Sequence, residues 1–408
     1  MIRTTNANRS HYRYSRLFLP YRPRTLALAL SLCLLGSPDA SAWEEASLES
    51  VDLTPSVVQA LDEDIKSGLY GYIDSLLIAR HGKVVFEAYY PRDYPQIYQT
   101  EAATPGPLVV NDPSGPYNYF NAWWHPYYRD TNLHTLQSVT KSVVSALVGI
   151  AISRGDFPDL DTPVLRFFDE ASVGNVDERK LNMNLRDLLT MSDGLEWNEN
   201  LAYTDPQNSF AVMTKDPNWV THTIDLPMAQ EPGTAFNYNS GATLLLGHIF
   251  NLATGIDIEE YAVEYLFSPL GIQHYYWDRT PFGLTDTQEG LYLSTRDLAK
   301  ITRLYLQGGR FDGRQVIPRS WIDDSLAPAF LTKKNDREGY GYLWWSQPYT
   351  HKNMEHMAYF GKGFGGQRPI LLPDLDMVIV VTGWNILPGQ PFLHAEEAIT
   401  RITAAAAD

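Results

Sequence analysis

The chain has 408 residues, 44% of them hydrophobic, and a formal net charge of −16 at pH 7. A chain of this size can bury a large hydrophobic core, and its acidic balance argues against nucleic acid or an anionic membrane surface as a partner. Cys33 is the single cysteine, which excludes an intrachain disulfide and a metal site built from cysteines.

The N-terminal segment, residues 1–42, has the pattern of a secretory signal peptide. Arginines precede an apolar stretch at Leu26–Leu35, and Ala40-Ser41-Ala42 forms a small-residue cleavage site before Trp43. We therefore expect a mature domain over residues 43–408 in a periplasmic or secreted protein. An uncleaved N-terminal anchor is the alternative. No later stretch reaches the roughly eighteen apolar residues that a membrane span needs, so we expect no stable membrane partner.

The first elements of the predicted mature domain are a helix and a β-hairpin. Residues 54–68 have a capped amphipathic pattern that predicts a helix. Residues 73–80 and 83–90 are apolar enough for two strands, and His81-Gly82 between them is typical of a hairpin turn.

An insertion rich in aromatic residues follows, over residues 91–133. Aromatic side chains on a loop either wall a substrate cleft or pack against their own loop, and the sequence leaves both open. The side chains in question are Tyr117, Tyr119, Phe120, Trp123, Trp124, Tyr127 and Tyr128.

Ser138-Val139-Thr140-Lys141 begins the most informative stretch of the chain. Residues 142–154 carry apolar side chains at helical spacing and Gly155 ends the run, so Ser138 lies at or just before a helix N-terminus. Lys141 then lies one turn further along the same side. A lysine that loses its charge in a closed pocket can accept the proton of a nucleophilic serine. The alternative is an N-cap serine beside a solvated lysine.

The remainder of the chain returns from helices to strands. The pattern is mainly helical over 138–285, and we expect this region to form an inserted lobe. The predicted fold is α/β (α+β): an antiparallel sheet built from both ends of the chain, residues 43–137 and 286–408, flanked by helices. The predicted elements of the second part are helices at 294–307 and 393–404 and strands at 368–372 and 377–383.

Two further segments can supply groups to a serine site. Tyr238 comes just before an apolar helical run and can relay a proton to a leaving group; a tyrosine that simply packs at a helix start is the alternative. The glycine-rich run Gly361–Gln367 leads into a strand, and its backbone N–H groups can form an oxyanion hole with the N–H of Ser138. A structural turn is the alternative there.

Together these segments resemble the serine β-lactamase and penicillin-binding-protein superfamily, in its class C β-lactamase-related branch of esterases, D-aminopeptidases and 6-aminohexanoate-dimer hydrolases. The resemblance implies a β-lactamase/transpeptidase-like fold, with Ser138 as the acylated nucleophile and Lys141 as its base. It further implies that Tyr238 protonates the leaving group and that the amides of Ser138 and Phe364 hold the oxyanion. The matching motifs are Ser138–Lys141, Leu188–Trp197, Pro232–Ser240, Pro269–Gly271, Arg296–Ala299 and Gly363–Gln367.

Two positions depart from the pattern of that superfamily. Gly361-Lys362-Gly363 replaces the Lys-Thr-Gly triplet, so the cation is shifted by one position and would face the other side of a strand. Ser240 replaces the asparagine of the Tyr-x-Asn motif. We take Ser240, Gly361, Lys362 and Gly363 as candidate substrate-binding residues. Both changes favour small esters or linear amides over β-lactams.

Other functions remain as alternatives. A β-lactamase, a D,D-peptidase or a D-aminopeptidase would use the same fold, and a catalytically silent member would only bind a cell-wall fragment or a partner. We expect neither a metal nor another cofactor, because the histidines show no HExxH or paired spacing. Trp344 and Trp345 are expected to be structural. The sequence leaves the oligomeric state open.

Overall fold

The computed structural model describes residues 43–102, 125–129, 131–203, 205–332 and 337–406. The predicted signal peptide lies outside the described residues, as does most of the aromatic insertion, residues 103–124. The described residues from Trp43 onward belong to one compact unit.

Most of the helices lie in the middle of the chain, and others, such as those near its two ends, pack on the large sheet. Residues Gln137–Val139 form a 3₁₀ turn directly before α4, and Val263–Phe267 form a π-helix that continues α10. The α-helices are α1 (Pro55–Lys66), α2 (Tyr94–Ile97), α3 (Gln99–Ala102), α4 (Thr140–Arg154), α5 (Glu178–Asn182), α6 (Leu185–Leu189), α7 (Ser209–Met213), α8 (Trp219–Ile224), α9 (Ser240–Thr254), α10 (Ile258–Ala262), α11 (Thr295–Leu306), α12 (Arg319–Leu326) and α13 (Ala395–Thr403).

The strands come from both ends of the chain, with short additional strands in the second half. They are β1 (Glu44–Glu45), β2 (Ile73–Arg80), β3 (Lys83–Tyr89), β4 (His134–Thr135), β5 (Tyr276–Trp277), β6 (Leu291–Leu293), β7 (Arg310–Phe311), β8 (Arg314–Gln315), β9 (Phe330–Leu331), β10 (Gly339–Tyr340), β11 (Trp345–His351), β12 (Met354–Phe360), β13 (Arg368–Leu372) and β14 (Met377–Gly383).

The large sheet joins the two ends of the chain. Within the described residues nine strands take the order β1-β3-β2-β14-β13-β12-β11-β10-β9. Neighbouring strands are antiparallel, except that β1 runs parallel to β3. The N-terminal hairpin and the C-terminal strands meet at the centre, where Ile78 of β2 lies opposite Ile379 of β14. This arrangement confirms the predicted fold class.

Side chains of β14 alternate between two hydrophobic cores, because successive residues of a strand point to opposite faces. Val378 and Val380 belong to the core shared with α4, α11 and the middle of the chain. Met377 and Ile379 belong to the core on the other face, which α1 and α13 cover. Since both faces of β14 are buried, its sequence is an almost continuous apolar run.

Helix α4 lies in the first of these cores and is buried on all sides. Every residue from Thr140 to Ala151 is buried, which is more than the helical spacing of its apolar side chains alone predicted. The difference arises because helices of the lobe, including α9, cover the side that faces away from the sheet. A helix that is covered all round needs no polar face.

No single helix of the described residues is long and apolar enough to cross a membrane, although α9 and the bent segment Ile258–Phe267 together pass that test of length and composition. Among the same residues no group of three His, Cys, Asp or Glu side chains is placed to hold a metal ion.

Candidate active site

Ser138 lies in the 3₁₀ turn between β4 and α4 and is partly exposed. Gln137, directly before it, has a φ of 50°, in the left-handed region that side chains other than glycine rarely adopt. The strand before the turn is anchored by β6, since Leu136 N donates to Leu291 O at 2.8 Å. The turn therefore holds a strained backbone between two fixed elements, which is common at functional sites.

Lys141 is the second residue of α4, about one turn after Ser138, and its ammonium group is directed at Ser138. Its Nζ is 3.0 Å from Ser138 Oγ and donates to Gln288 O at 2.8 Å. The side chain is buried, and this burial lowers the pKa of Lys141 to about 8, while the nearby carboxylates of Glu199 and Asp286 raise it. A substantial fraction of the amine is therefore neutral near pH 8, with a lone pair available for the serine proton.

Tyr238 completes the group of three residues that the sequence placed in the site. Lys141 Nζ lies 5.3 Å from the centre of its ring. Burial, followed by the negative charge of Glu199, raises the pKa of Tyr238 well above its usual value, while the hydroxyls of Ser138 and Ser240 act to lower the pKa of its phenol. The phenol is therefore protonated at neutral pH and can act as a proton donor.

Glu199 is a buried carboxylate beside these residues that the sequence analysis missed. Its Oε1 accepts from Tyr203 OH at 2.9 Å and from Ser240 Oγ at 2.8 Å. Its Oε2 accepts from Trp197 Nε1 and from Ser240 N, both at 2.9 Å. Four donors thus fix an anion whose charge acts on both Lys141 and Tyr238. A single glutamate outside any repeated spacing gives no signal in a sequence.

Asp286 is a second buried carboxyl that the sequence analysis missed. Its Oδ1 accepts from Gln288 N at 3.0 Å, which shapes the turn whose carbonyl binds Lys141. Burial raises the pKa of Asp286 to about 7, with a smaller contribution from Asp278, and Lys141 opposes the rise. The turn leads into β6, so the pairing of β4 with β6 brings it to the serine.

The glycine-rich run lies against the serine turn. It begins after β12 ends at Phe360, so Lys362 is not part of a strand, and the expected reversal of its side chain by strand alternation does not apply. A Cβ on Gly363 would lie 2.5 Å from Leu136 O, and one on Gly361 would lie 2.9 Å from Val139 Cγ2. Only glycine permits this approach.

Two backbone N–H groups remain available where these segments meet. Within the part of the chain that the structure describes, neither Ser138 N nor Phe364 N donates to another atom. By contrast, Gly363 N donates to Gln367 O at 2.9 Å, and Gly361 N donates to Pro369 O at 3.0 Å. The pair formed by Ser138 and Phe364 is the one that the resemblance implied as the oxyanion hole.

The other candidate substrate-binding residues are engaged with neighbouring side chains. Ser240 is buried and its hydroxyl donates to Glu199. The ammonium group of Lys362 pairs with Glu338 and lies 3.8 Å from the centre of the Trp345 ring.

Trp345 itself lies beside the catalytic candidates. Its ring stacks on Tyr238 with centroids 5.9 Å apart and an interplanar angle of 28°. Trp344, in contrast, is 2% exposed and packs in the core. Trp345 therefore forms part of the wall around Tyr238, a packing role that is compatible with the structural one expected for both tryptophans. On the other side Phe364 packs edge-on against Tyr203, with centroids 5.1 Å apart.

Comparison with known proteins places this chain in a family. The sequence model of the family described as Beta-lactamase matches residues 67–399. The 6-aminohexanoate-dimer hydrolase of Paenarthrobacter ureafaciens is 28% identical over 306 residues, which cover 70% of this chain and 74% of that protein.

Solved structures show the same fold. The octameric penicillin-binding protein homologue from Pyrococcus abyssi aligns with a TM-score of 0.59 at 18% identity, over 86% of this chain and 76% of that one. A family VIII carboxylesterase aligns with a TM-score of 0.59 at 15% identity, over 86% of this chain and 96% of that one. These alignments confirm the predicted β-lactamase/transpeptidase-like fold. Because the family match spans most of the described domain, the chain belongs to the Beta-lactamase family and is a hydrolase of the serine β-lactamase-like superfamily.

Proposed function

We propose that this hydrolase cleaves small esters or linear amides through an acyl-enzyme formed on Ser138. The observation that carries the proposal is the contact between Lys141 Nζ and Ser138 Oγ at 3.0 Å. Since burial lowers the pKa of Lys141 to about 8, the amine can act as a base toward the serine at neutral to mildly alkaline pH.

In the acylation step, the neutral amine of Lys141 takes the proton of the Ser138 hydroxyl. Its other contact, to Gln288 O, holds one N–H and leaves the lone pair directed at the serine. Ser138 Oγ then attacks the carbonyl carbon of the substrate. The negative charge that develops on the carbonyl oxygen is stabilised by the N–H groups of Ser138 and Phe364.

Tyr238 supplies the proton that the leaving group needs. Its raised pKa keeps the phenol protonated, so it can donate to the alcohol or amine as the bond to the acyl carbon breaks. The ammonium of Lys141 then returns a proton to the phenolate. In deacylation the same groups work in reverse: a water molecule gives up a proton, attacks the acyl carbon and releases the acid, and Ser138 Oγ recovers its proton.

Two observations support esters and linear amides as substrates rather than β-lactams. The ammonium of Lys362 is held by Glu338 and by the face of Trp345, and a cation held in this way is poorly placed to anchor a substrate carboxylate. In addition, the relative from Paenarthrobacter ureafaciens is named for the hydrolysis of a linear amide dimer.

The test compares hydrolysis of p-nitrophenyl butyrate, a 6-aminohexanoate dimer and a chromogenic cephalosporin by the wild type and Ser138→Ala. We expect turnover of the ester or the linear amide that is lost in Ser138→Ala, with little cephalosporin cleavage. Strong cephalosporin turnover would instead favour a β-lactamase, and an active Ser138→Ala variant would refute the assignment of the nucleophile.

The cellular location is a separate part of the proposal. The arginines, the apolar stretch and Ala40-Ser41-Ala42 support export to the periplasm or the medium with cleavage before Trp43. Expression of the full chain, cell fractionation and N-terminal sequencing test this directly. A cytosolic protein that retains Met1 would contradict it.

A further inference from the structure

Arg368 is a buried cation next to the proposed oxyanion hole that none of the steps above uses. It is the first residue of β13 and is 8% exposed. Among the described residues no carboxylate lies within ion-pair distance of its guanidinium. Burying such a cation without a direct counter-ion is costly, so its position calls for an explanation in terms of the groups that it does contact.

The contacts of Arg368 are backbone carbonyls of the glycine-rich run. Its Nη1 donates to Gly363 O at 3.0 Å and to Gln367 O at 2.7 Å. The guanidinium also lies 4.9 Å from the centre of the Phe392 ring, which covers it. A single charged group thus holds both ends of the turn.

The carbonyl of Gly363 and the N–H of Phe364 belong to one peptide unit. A trans peptide is planar, with its C=O and N–H pointing in opposite directions. Holding Gly363 O on the Arg368 side therefore turns Phe364 N–H to the opposite side. Gly366 N also donates to Gly363 O, at 3.2 Å, so this carbonyl accepts one neutral and one charged donor. Gly365 and Gly366 have φ values of 88° and 130°, and because glycines restrict their own conformation least, these contacts together fix the turn.

The charge of Arg368 also acts through this peptide unit. A hydrogen bond from a charged donor is stronger than a neutral one, and it polarises the group that accepts it. The N–H at the other end of the same unit then becomes a better donor toward an oxyanion. Burial lowers the pKa of Arg368 only to about 10, so the guanidinium remains charged at neutral pH.

We propose that Arg368 is a positioning residue of the oxyanion hole: through Gly363 O it orients and polarises the Phe364 N–H that binds the developing negative charge. This inference rests on the proposed acyl-enzyme chemistry of Ser138. It predicts an effect on the transition state that is larger than the effect on substrate binding.

The experiment compares Arg368→Met and Arg368→Lys with the wild type on p-nitrophenyl butyrate, and measures inhibition by n-butylboronic acid. The boronic acid forms a tetrahedral adduct with a nucleophilic serine and so reports on the oxyanion hole itself. For Arg368→Met we expect kcat to fall about 10- to 100-fold with KM changed less than about twofold, and boronate affinity to fall by a similar factor. Arg368→Lys keeps the charge without the planar donor, so we expect a smaller loss in both quantities.

Arg80 provides a matched control on the far side of the sheet. It also holds backbone carbonyls, those of Leu375 at 3.1 Å, Val51 at 2.8 Å and Asp52 at 3.1 Å. Arg80→Met should lower thermal stability but leave kcat and boronate affinity unchanged.

Several results would overturn the inference. The first is unchanged kcat and boronate affinity in both Arg368 variants. The second is a loss of stability like that of Arg80→Met with boronate affinity intact. If Arg368→Met does not fold, Arg368→Lys decides. The proposed role predicts a measurable loss of boronate affinity in that variant, and an affinity equal to that of the wild type would refute it. Labelling of wild-type Ser138 by a fluorophosphonate separates these results from failure of the proposed function, which would show as no labelling at all.

Discussion

At the scale of single residues, the protonation of the site follows from burial and from two carboxyl groups. Burial pushes Lys141 toward the neutral amine, whereas Glu199 and Asp286 pull it toward the ammonium ion. The same Glu199 charge disfavours ionisation of Tyr238. Lys141 can thus be neutral while Tyr238 stays protonated, which is the division between base and acid that the proposed acyl transfer needs.

The pH dependence of ester hydrolysis tests this division. Because burial lowers the pKa of Lys141 to about 8, the neutral base is scarce below that pH and dominant above it. We therefore expect kcat/KM for p-nitrophenyl butyrate to rise with pH through an apparent pKa near 8 and to reach a plateau above it. The range from about pH 6 to about pH 9 extends from roughly two units below this midpoint to roughly one unit above it. A profile that is flat over that range would contradict the role of Lys141.

Glu199→Gln should move that midpoint downward. The negative charge of Glu199 raises the pKa of Lys141. Without that charge we expect this pKa, and with it the midpoint of the profile, to fall by about one unit. The variant should also lose about 1–3 kcal/mol of stability, because an amide nitrogen would face donors that now bind a carboxylate oxygen. Glu63→Gln changes an exposed glutamate of α1 and should leave the profile unchanged. An upward shift, or none, in Glu199→Gln would contradict this electrostatic account.

Tyr238→Phe separates the two chemical steps by the choice of substrate. The phenyl ring can keep its stacking on Trp345, but it cannot protonate a leaving group. We expect kcat for a linear amide to fall about 10²- to 10⁴-fold, and to fall much less for a p-nitrophenyl ester, whose leaving group needs no proton. Equal losses on both substrates would argue against Tyr238 as the acid in the leaving-group step.

At the scale of elements, the site forms where three segments converge: the start of α4, the turn before β6 and the glycine-rich run before β13. Pairing of β4 with β6 fixes the first two. The third reaches them only because its glycines lack side chains. The proposed oxyanion hole therefore depends on how these segments approach one another as much as on the residues that they carry.

Gly363→Ala tests that approach. Its new methyl group would lie 2.5 Å from Leu136 O, a backbone atom that cannot easily move, so the turn must shift away from Ser138. We expect kcat to fall by about tenfold or more, with a smaller loss of thermal stability. Gly174→Ala is the control, since its nearest contact would be 3.3 Å and its φ is ordinary. Full activity in Gly363→Ala would contradict the placement of the oxyanion hole.

Periodicity in the sequence predicted some of the elements but not their surroundings, and it missed β11 and β12 of the large sheet. Strands 368–372 and 377–383 were predicted with the bounds that the structure shows, because their apolar runs are bounded by turn residues. Burial of α4 on both sides was missed, since the cover comes from helices distant in sequence. Glu199 and Arg368 were missed for a related reason: each acts through contacts that only the folded chain creates, and neither carries a local pattern.

At the scale of the whole molecule, the sheet separates a core that supports the site from a core that does not. The site lies on the face covered by α4 and α11, and α13 covers the other face together with α1. Strand β14 contributes side chains to both. The predicted meeting of the two chain ends in a single sheet thus has a consequence: the core on the far face can contribute to stability without contacting the candidate site on the near face.

Ile399→Ala should reveal this separation. Ile399 is 1% exposed in α13, so its truncation should cost about 2–5 kcal/mol of unfolding free energy. At a temperature where the variant is folded, kcat should match the wild type. Leu252→Ala truncates a side chain that is 52% exposed and should change stability little. Urea denaturation with activity assays on the same samples measures both quantities, and a loss of kcat without unfolding would show that the two faces are coupled.

The measurement that tests the central claim most directly is the intact mass of the protein after rapid acid quenching during turnover of p-nitrophenyl butyrate, followed by peptide mapping. The account predicts a butyryl group on the peptide that carries Ser138, absent in Ser138→Ala and present in Ser153→Ala, which alters a serine of the same helix. In Lys141→Ala the acylated species should form far more slowly. Turnover without any acylated protein, or acylation at another residue, would contradict the account.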